Sequence, residues 1–412
     1  MPEAYVYITL PGAVAAVTAG RFEHTVSRNG VAVGRFVYGR RYRERQDAVE
    51  IDPVELRLGR AGFETVRLNG VFGALRDAGP DYWGRRVIEK HAGLARLGEL
   101  DYLLYAPDDR AGALGFGLGV DPPALVRAFN RTWDLEKLQS LADALLADEP
   151  PQDAAQVEEL LLLGTSMGGA RPKVVVEHED ALWLAKFNRP DDRWNMARVE
   201  HATLELARRC GLQVAVSQIA AVGGRDVLLV KRFDRERVEG GYSRARMVSA
   251  LTLLETDETP DGRARWSYIL LAETLRRISE RPREDAHELF RRMTFNALVS
   301  NIDDHPRNHA AFAPALGWRL SPAYDLTPTP AVAEERRDLA MACGRQGRLA
   351  NAANLLSECR RFLLTPEEAS AIVDEMERIV GQEWYAVARG CGISEGDCET
   401  IRRAYVYPGF RH

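Results

Sequence analysis

The sequence predicts an α/β (α+β) chain, with a β-rich first part and a mainly helical second part, on three observations. At 412 residues the chain exceeds what one hydrophobic core ordinarily encloses, so two domains are expected. Short apolar and β-favouring runs separated by turn residues fill its beginning. Apolar residues at helical spacing dominate its later part.

Taken in order, Ala4–Leu10 and Val31–Tyr38 read as strands, with Asn29-Gly30 as a turn. A helix is expected after Pro80-Asp81-Tyr82-Trp83-Gly84. Arg35, Arg40, Arg41, Arg43 and Arg45, interleaved with Phe36, Tyr38 and Tyr42, suit either a nucleic-acid patch or an exposed strand bearing arginines. Asp134–Ala147 has a helical period through Leu135, Leu138, Leu141, Ala142 and Leu145, and Glu149-Pro150-Pro151 reads as a linker. A helix over Ala154–Leu163 leads into a glycine loop, followed by strands at Val174–Glu177 and Ala181–Phe187. Further helices are predicted over Met196–Cys210, Arg283–Val299, Pro366–Val380 and Glu395–Tyr405, and a buried strand over Asp226–Phe233.

Composition narrows the function classes. An apolar fraction of 46%, a charged fraction of 28%, and only 34 Gly and 20 Pro exclude a collagen, a disordered tail or a disulfide mini-scaffold. A net charge of −5 gives no global field to attract nucleic acid or an anionic membrane. The 5 cysteines are odd in number and contain no C-x-x-C pair, which suits a reducing compartment. Tyr5–Ala19 lacks a preceding Lys or Arg and is broken by Pro11 and Gly12, a poor signal peptide, and no apolar run reaches membrane-spanning length. A cytoplasmic protein is the expectation. Only 5 of the 55 basic residues are lysine: Lys90, Lys137, Lys173, Lys186 and Lys231. A compact ammonium held against phosphate is one reason to keep a lysine in so arginine-rich a chain, and chance is the other.

The densest chemistry lies in Asn301-Ile302-Asp303-Asp304-His305-Pro306-Arg307-Asn308. Phosphoryl transfer by a kinase needs a carboxylate to accept the hydroxyl proton and, five residues later, an asparagine oxygen for Mg²⁺. Asp303 and Asn308 have that spacing. A strand pair, His309–Ala313 and Trp318–Leu320, then returns the chain to Tyr324-Asp325, where a second Mg²⁺ carboxylate would stand. Upstream, Gly164, Gly168 and Gly169 permit backbone N–H groups to approach phosphate, and Lys173 follows on a strand. Lys186 ends the next strand, and Glu200 lies early in the following helix, an arrangement suited either to a phosphate lysine with its acidic partner or to an ordinary ion pair. Lys231-Arg232-Phe233 suits an adenine edge or a charged strand exit. A Walker loop is excluded by Ala170 at the lysine position, and no His/Cys set has zinc spacing.

Together, G-T-S-M-G-G-A-R-P-K at Gly164–Lys173, Lys186, K-R-F-D-R at Lys231–Arg235, D-D-H-P-R-N at Asp303–Asn308 and Tyr324-Asp325 resemble the HipA-type serine/threonine kinases, toxins of bacterial type II toxin–antitoxin modules. Phe72–Arg86, with Asp77 and P-D-Y-W-G-R-R, is similar to that family's N-terminal subdomain. The resemblance implies a protein-kinase-like fold divided into a β-rich subdomain at 1–110, a helical connection at 111–152, a catalytic domain at 153–390, and a C-terminal helix and tail at 391–412. It implies Asp303 as base, Asn308 and Asp325 as Mg²⁺ ligands, and Lys186 as the phosphate lysine partnered by Glu200. ATP would be held by Gly168, Gly169, Ala170, Arg171, Lys173, Lys186, Lys231, Arg232, Phe233, His305, Arg307 and Asn308. Autophosphorylation at Ser166 would drive the glycine loop off the nucleotide by adding charge beside the triphosphate.

The chain departs from the founding pattern at Arg307, where that pattern has lysine, and at Asp304, where it has glycine. The implied partners are a small helix-turn-helix antitoxin of the HipB type and a protein substrate such as an aminoacyl-tRNA synthetase, with DNA reached only through the antitoxin and no membrane contact. Two other readings stand beside it: a small-molecule phosphotransferase, and a non-catalytic ATP-binding co-repressor.

Overall fold

The computed structural model describes residues 3–59, 62–92, 97–123, 130–131, 135–146, 171, 173–330 and 333–411. The chain forms two compact units, neither continuous in sequence. The first contains Met1–Phe187, Lys231–Thr252 and Phe312–Trp318, and the second Asn188–Val230, Leu253–Ala311 and Arg319–His412.

In the first unit, β1 (Glu3–Thr9), β2 (Ala16–Val26), β3 (Ala32–Tyr38), β4 (Gly62–Thr65) and β5 (Leu114–Gly117) make an antiparallel sheet of order β4-β3-β2-β1-β5. The β2–β3 turn falls at Asn29-Gly30 as predicted, with Gly30 at φ +78°, a conformation glycine adopts without strain. Strand β2 was not predicted, because Arg21, Glu23 and His24 interrupt any clean alternation. Phe36 and Tyr38 face the core, while Arg35 on the opposite face pairs with Glu64 at 2.8 Å. Tyr42, on the short helix α1 (Arg40–Arg43), stacks on Tyr38 with ring centroids 5.8 Å apart. The interleaved arginines therefore belong to an exposed strand and its exit, with the aromatics turned inward.

Helices α2 (Gly73–Asp77), α3 (Tyr82–Ala92) and α4 (Glu99–Tyr105) follow. Asp81 accepts the Gly84 N–H at 2.7 Å and so caps α3. Arg85 joins α3 to α4 through Glu99 at 3.0 and 2.6 Å. Helix α5 (Leu135–Leu146) lies where the apolar period placed it. Strand β6 (Asn130–Arg131) runs parallel to β7 (Lys173–His178), which forms an antiparallel hairpin with β8 (Ala181–Phe187). Its two turn residues, Glu179 and Asp180, both have positive φ, 48° and 56°, the twist that a two-residue hairpin needs.

The chain then enters the second unit through α6 (Met196–Arg209), capped by Asn195, and the antiparallel pair β9 (Ser217–Val222) and β10 (Arg225–Lys231). It returns to the first unit for β11 (Arg235–Val238), β12 (Gly241–Arg244), β13 (Arg246–Ser249) and α7 (Ala250–Leu253). Here Asp77 accepts from Ser249 N, Ser249 Oγ and Thr252 Oγ1, each at 2.7 Å, so a carboxylate singled out by sequence fastens the start of α7.

The second unit continues with α8 (Tyr268–Ile278), α9 (Pro282–Leu298), the start of β14 (Ala310–Ala313), whose last two residues belong to the first unit, then β15 (Arg319–Leu320), α10 (Ala352–Leu356), α11 (Pro366–Gly390) and α12 (Glu395–Ile401). Thr365 and Glu368 form a reciprocal capping box at the start of α11. That helix runs ten residues past the predicted Val380, through Gly381, whose position reads in sequence as a stop. The residues after α12 pack beneath the end of α9: Val406 N donates to Leu298 O and Tyr407 Oη to Ala350 O, both at 2.8 Å. Among the described residues no helix is long and apolar enough to cross a membrane.

Candidate active site

The octapeptide Asn301–Asn308 leaves α9 through Ser300, whose φ of +53° turns the chain sharply. Ser300 Oγ donates to Ala404 O at 2.6 Å and accepts from Arg337, which also donates to Arg403 O at 2.7 Å. Beyond that turn a ladder of buried polar groups sets the loop. Asn301 Nδ2 donates to Asn296 Oδ1 at 3.1 Å, and Asn296 Nδ2 to Tyr268 Oη at 3.2 Å. Tyr268 in turn donates to Asp304, and His309 Nε2 lies 2.7 Å from the same carboxylate oxygen. Burial and the Asp304 charge hold the Tyr268 hydroxyl far above its ordinary titration range, so it stays a donor.

The two adjacent aspartates thus differ. Asp304 is buried and committed to Tyr268 and His309, whereas Asp303 is exposed. The Asp303 carboxyl is pushed above its usual range by partial desolvation and by the nearby Asp325 and Asp304 charges, against the opposing pull of His305. Asn308 Nδ2 donates to Asp303 O at 3.3 Å, which turns Asn308 Oδ1 away from that carbonyl. Tyr324 Oη donates to Arg307 O at 2.9 Å and brings Asp325, at φ +58°, up to the loop. The base of the return is fixed to α9: Leu320 N donates to Asp285 at 2.8 Å, and the buried Arg292 donates to Ser321 O at 2.5 Å. Asp303, Asn308 and Asp325 therefore come together in the second unit, as their spacing predicts.

Arg307 makes a two-armed pair with Glu258, at 3.0 and 3.2 Å. The His305 ring meets Trp266 edge-on at 6.4 Å, and its buried Nδ1 has no hydrogen-bond partner. Glu200 lies on the buried face of α6, also in the second unit.

In the first unit, Lys186 is half-buried on β8. Lys173 is 3% exposed, and its Nζ lies 2.7 Å from Asp81. Lys231 is exposed, and the Phe233 ring packs edge-on against Phe312 at 5.5 Å. Arg232 is buried in a charge cluster with Asp234, which accepts its Nε at 3.0 Å, Arg235 Nη1 at 2.7 Å and Gly112 N at 2.9 Å. Arg232 and Arg235 both also donate to Arg110 O, at 2.7 and 2.5 Å. The K-R-F-D-R motif thereby fastens the segment 109–112, and the Arg232 guanidinium is spent inside the protein, leaving backbone groups as what that residue offers a ligand. The two arginines and Gly112 hold the Asp234 carboxyl far below its usual range despite burial.

Arg171 is half-buried, whereas Ser166, Gly168, Gly169, Ala170, the predicted helix Ala154–Leu163 and the linker Glu149–Pro151 lie outside the described residues. Sequence reading did not find Tyr268, Asn296, Glu258 or Arg337. Only His309 carried a signal, as a polar residue five places past Asp304 at the start of an apolar strand.

Oxygen donors from Asn308 and Asp325 suit a hard cation. Among the described residues no three His, Cys, Asp or Glu side chains are grouped so as to hold a metal ion.

An exposed carboxylate, an asparagine five residues on and a second carboxylate brought back by the chain are the groups that phosphoryl transfer by a kinase needs. The HipA-like C-terminal domain matches residues 165–384, more than half of the sequence, and the chain belongs to that family. Two relatives provisionally named as kinases are similar to it: Y4mE of Sinorhizobium fredii, 31% identical over 156 residues, and a protein of Haemophilus influenzae, 24% identical over 189. The matched stretches cover 37% and 41% of this chain but only 37% and 55% of those relatives. In three dimensions 97% of the chain matches 94% of HipA from Shewanella oneidensis MR-1, solved with HipB and its operator DNA, at a TM-score of 0.70 and 17% identity. That likeness establishes the fold over nearly the whole length.

Proposed function

We propose that the protein is an ATP- and Mg²⁺-dependent serine/threonine protein kinase acting as the toxin of a toxin–antitoxin module. The observation that carries this reading is the division of labour at the loop: Asp304 is sequestered by Tyr268 and His309, while Asp303 is exposed beside Asn308 and Asp325. Asp303 accepts the proton of the substrate hydroxyl, and its position on a loop braced by Asn296, Tyr268 and Ser300 holds it in one geometry. Asn308 Oδ1 and Asp325 hold Mg²⁺, which when bound neutralises phosphate charge and orients the triphosphate. Lys186 contacts phosphate with Glu200 as its partner, Gly168 to Arg171 offer backbone donors, Lys231 to Phe233 border the base, and His305 and Arg307 border the phosphates.

The acceptor is a protein of the translation apparatus, an aminoacyl-tRNA synthetase being the class the family resemblance suggests. Autophosphorylation of Ser166 switches the enzyme off. A HipB-type antitoxin supplies DNA contact, in keeping with the fold neighbour's complex.

Intact-mass measurement of the protein incubated with Mg²⁺ and ATP, beside Asp303→Ala and Ser166→Ala, tests this. One added phosphate in the parent, absent from both variants, is the expected result. A parent that binds ATP but gains no phosphate and labels no protein in a lysate would sink it, and consumption of ATP with a small alcohol would replace it with a small-molecule phosphotransferase.

A further inference from the structure

Lys173 and Lys186, two of the chain's 5 lysines, sit directly opposite each other in the β7–β8 register. Like charges placed so are mutually destabilising, and the fold treats the two differently. The Lys173 side chain is 3% exposed, with Nζ 2.7 Å from Oδ2 of Asp81, which is itself 7% exposed. Oδ2 has no aligned hydrogen-bond donor, so the contact is one of charge. The other carboxylate oxygen caps α3 at Gly84 N, 2.7 Å away, which keeps the Asp81 side chain from swinging aside. An ammonium enclosed in this way reaches a nucleotide only by abandoning a buried carboxylate, among the costlier events in a protein interior.

We infer that Asp81 is a positioning residue for the nucleotide site: by neutralising Lys173 it fixes the head of β7, and the phosphate-binding charge of the cross-strand pair belongs to Lys186. The inference rests on the kinase reading for the role of Lys186, but the Asp81–Lys173 coupling stands apart from it. It also gives Lys173 a reason in an arginine-rich chain. A compact ammonium fits in this enclosed place beside Asp81 more readily than a planar five-donor guanidinium.

The test uses the full chain with Lys173→Met, Asp81→Asn, the double variant and Lys186→Met, read by thermal midpoint and by calorimetric titration with Mg²⁺-ATP. Each member of the pair removed alone should lower the midpoint by roughly 5 °C or more, because it takes from the other a counterion buried beside it. The double variant should regain at least half of that loss and most of any lost ATP affinity, whereas Lys186→Met should weaken ATP binding by more than about tenfold with little change in midpoint. Additive midpoint shifts, or a double variant that binds ATP as poorly as Lys186→Met, would overturn the inference and make Lys173 a nucleotide ligand. If Lys186→Met binds ATP like the parent, the phosphate role of Lys186 fails instead, and the midpoints alone decide the pair.

Discussion

Asp304 accepts from Tyr268 and His309 at 1% exposure, while one residue earlier Asp303 stands at the surface. Substituting each should therefore do opposite things. Asp304→Asn weakens charge-assisted bonds in the interior and should cost about 1.5–3 kcal/mol in chemical denaturation. Asp303→Asn should leave stability within about 0.5 kcal/mol while abolishing phosphate transfer. A stable, inactive Asp304→Asn beside an active Asp303→Asn would reverse the assignment. A third aspartate carries a separate prediction. Asp52 is fully buried, its Oδ1 accepts Val54 N and Glu55 N at 2.8 and 2.6 Å, and its Oδ2 has no partner. Burial, aided by the Glu55 charge, pushes this carboxyl up from 3.8 to about 7 against those two backbone bonds. The folded state thus holds a proton that the unfolded chain releases, so stability should fall as pH rises from about 4 to about 7 and level off above. Asp52→Asn should remove that slope and leave the variant more stable than the parent at pH 8 by a few kcal/mol. Urea midpoints at pH 5 and pH 8 for both proteins decide it.

Segment Glu255–Trp266 touches the Asn301–Asn308 loop twice, through Glu258 to Arg307 and through Trp266 to His305. Trp266 is held by its own segment, Nε1 donating to Asp257 O at 3.0 Å. Only a guanidinium can grip Glu258 with two arms, which accounts for arginine where the founding pattern has lysine. Since the Glu258 side chain is 50% exposed, the pair should contribute under about 1 kcal/mol to stability. Its effect belongs to geometry: Arg307→Lys and Glu258→Gln should each lower the transfer rate on the order of tenfold with melting unchanged. Full activity in Arg307→Lys would show that charge alone matters there.

This tie was not legible in the sequence, because Glu258 lies 49 positions from Arg307 in a stretch that reads as a polar turn. Local order was legible: the β7–β8 hairpin, α6, α9 and the Asp303-to-Asn308 spacing follow from periodicity and turn chemistry. What escaped depended on long-range partners. The alternation of β2 shows only once β1 and β3 flank it, α11 passes Gly381, and Tyr268 joins the site across 36 positions.

At the scale of the whole chain, a net charge of −5 with 55 basic residues leaves no overall positive field. In the stretch that most resembles a nucleic-acid patch, Arg35 meets Glu64, Arg40 meets Glu44 and Arg45 meets Asp47, so three of its five arginines are already matched by carboxylates. Counterion release, the main source of non-specific DNA affinity, needs unanswered positive charge. The isolated protein should therefore show no mobility shift of a duplex below about 1 μM at physiological salt, within the ordinary range of weak non-specific binding. Arg35→Ala should leave even the low-salt binding unchanged, because it removes a guanidinium already matched by Glu64. Sub-micromolar binding with a steep salt dependence, weakened by that substitution, would instead make the sheet face a DNA surface and count against the proposal that DNA contact comes only through an antitoxin.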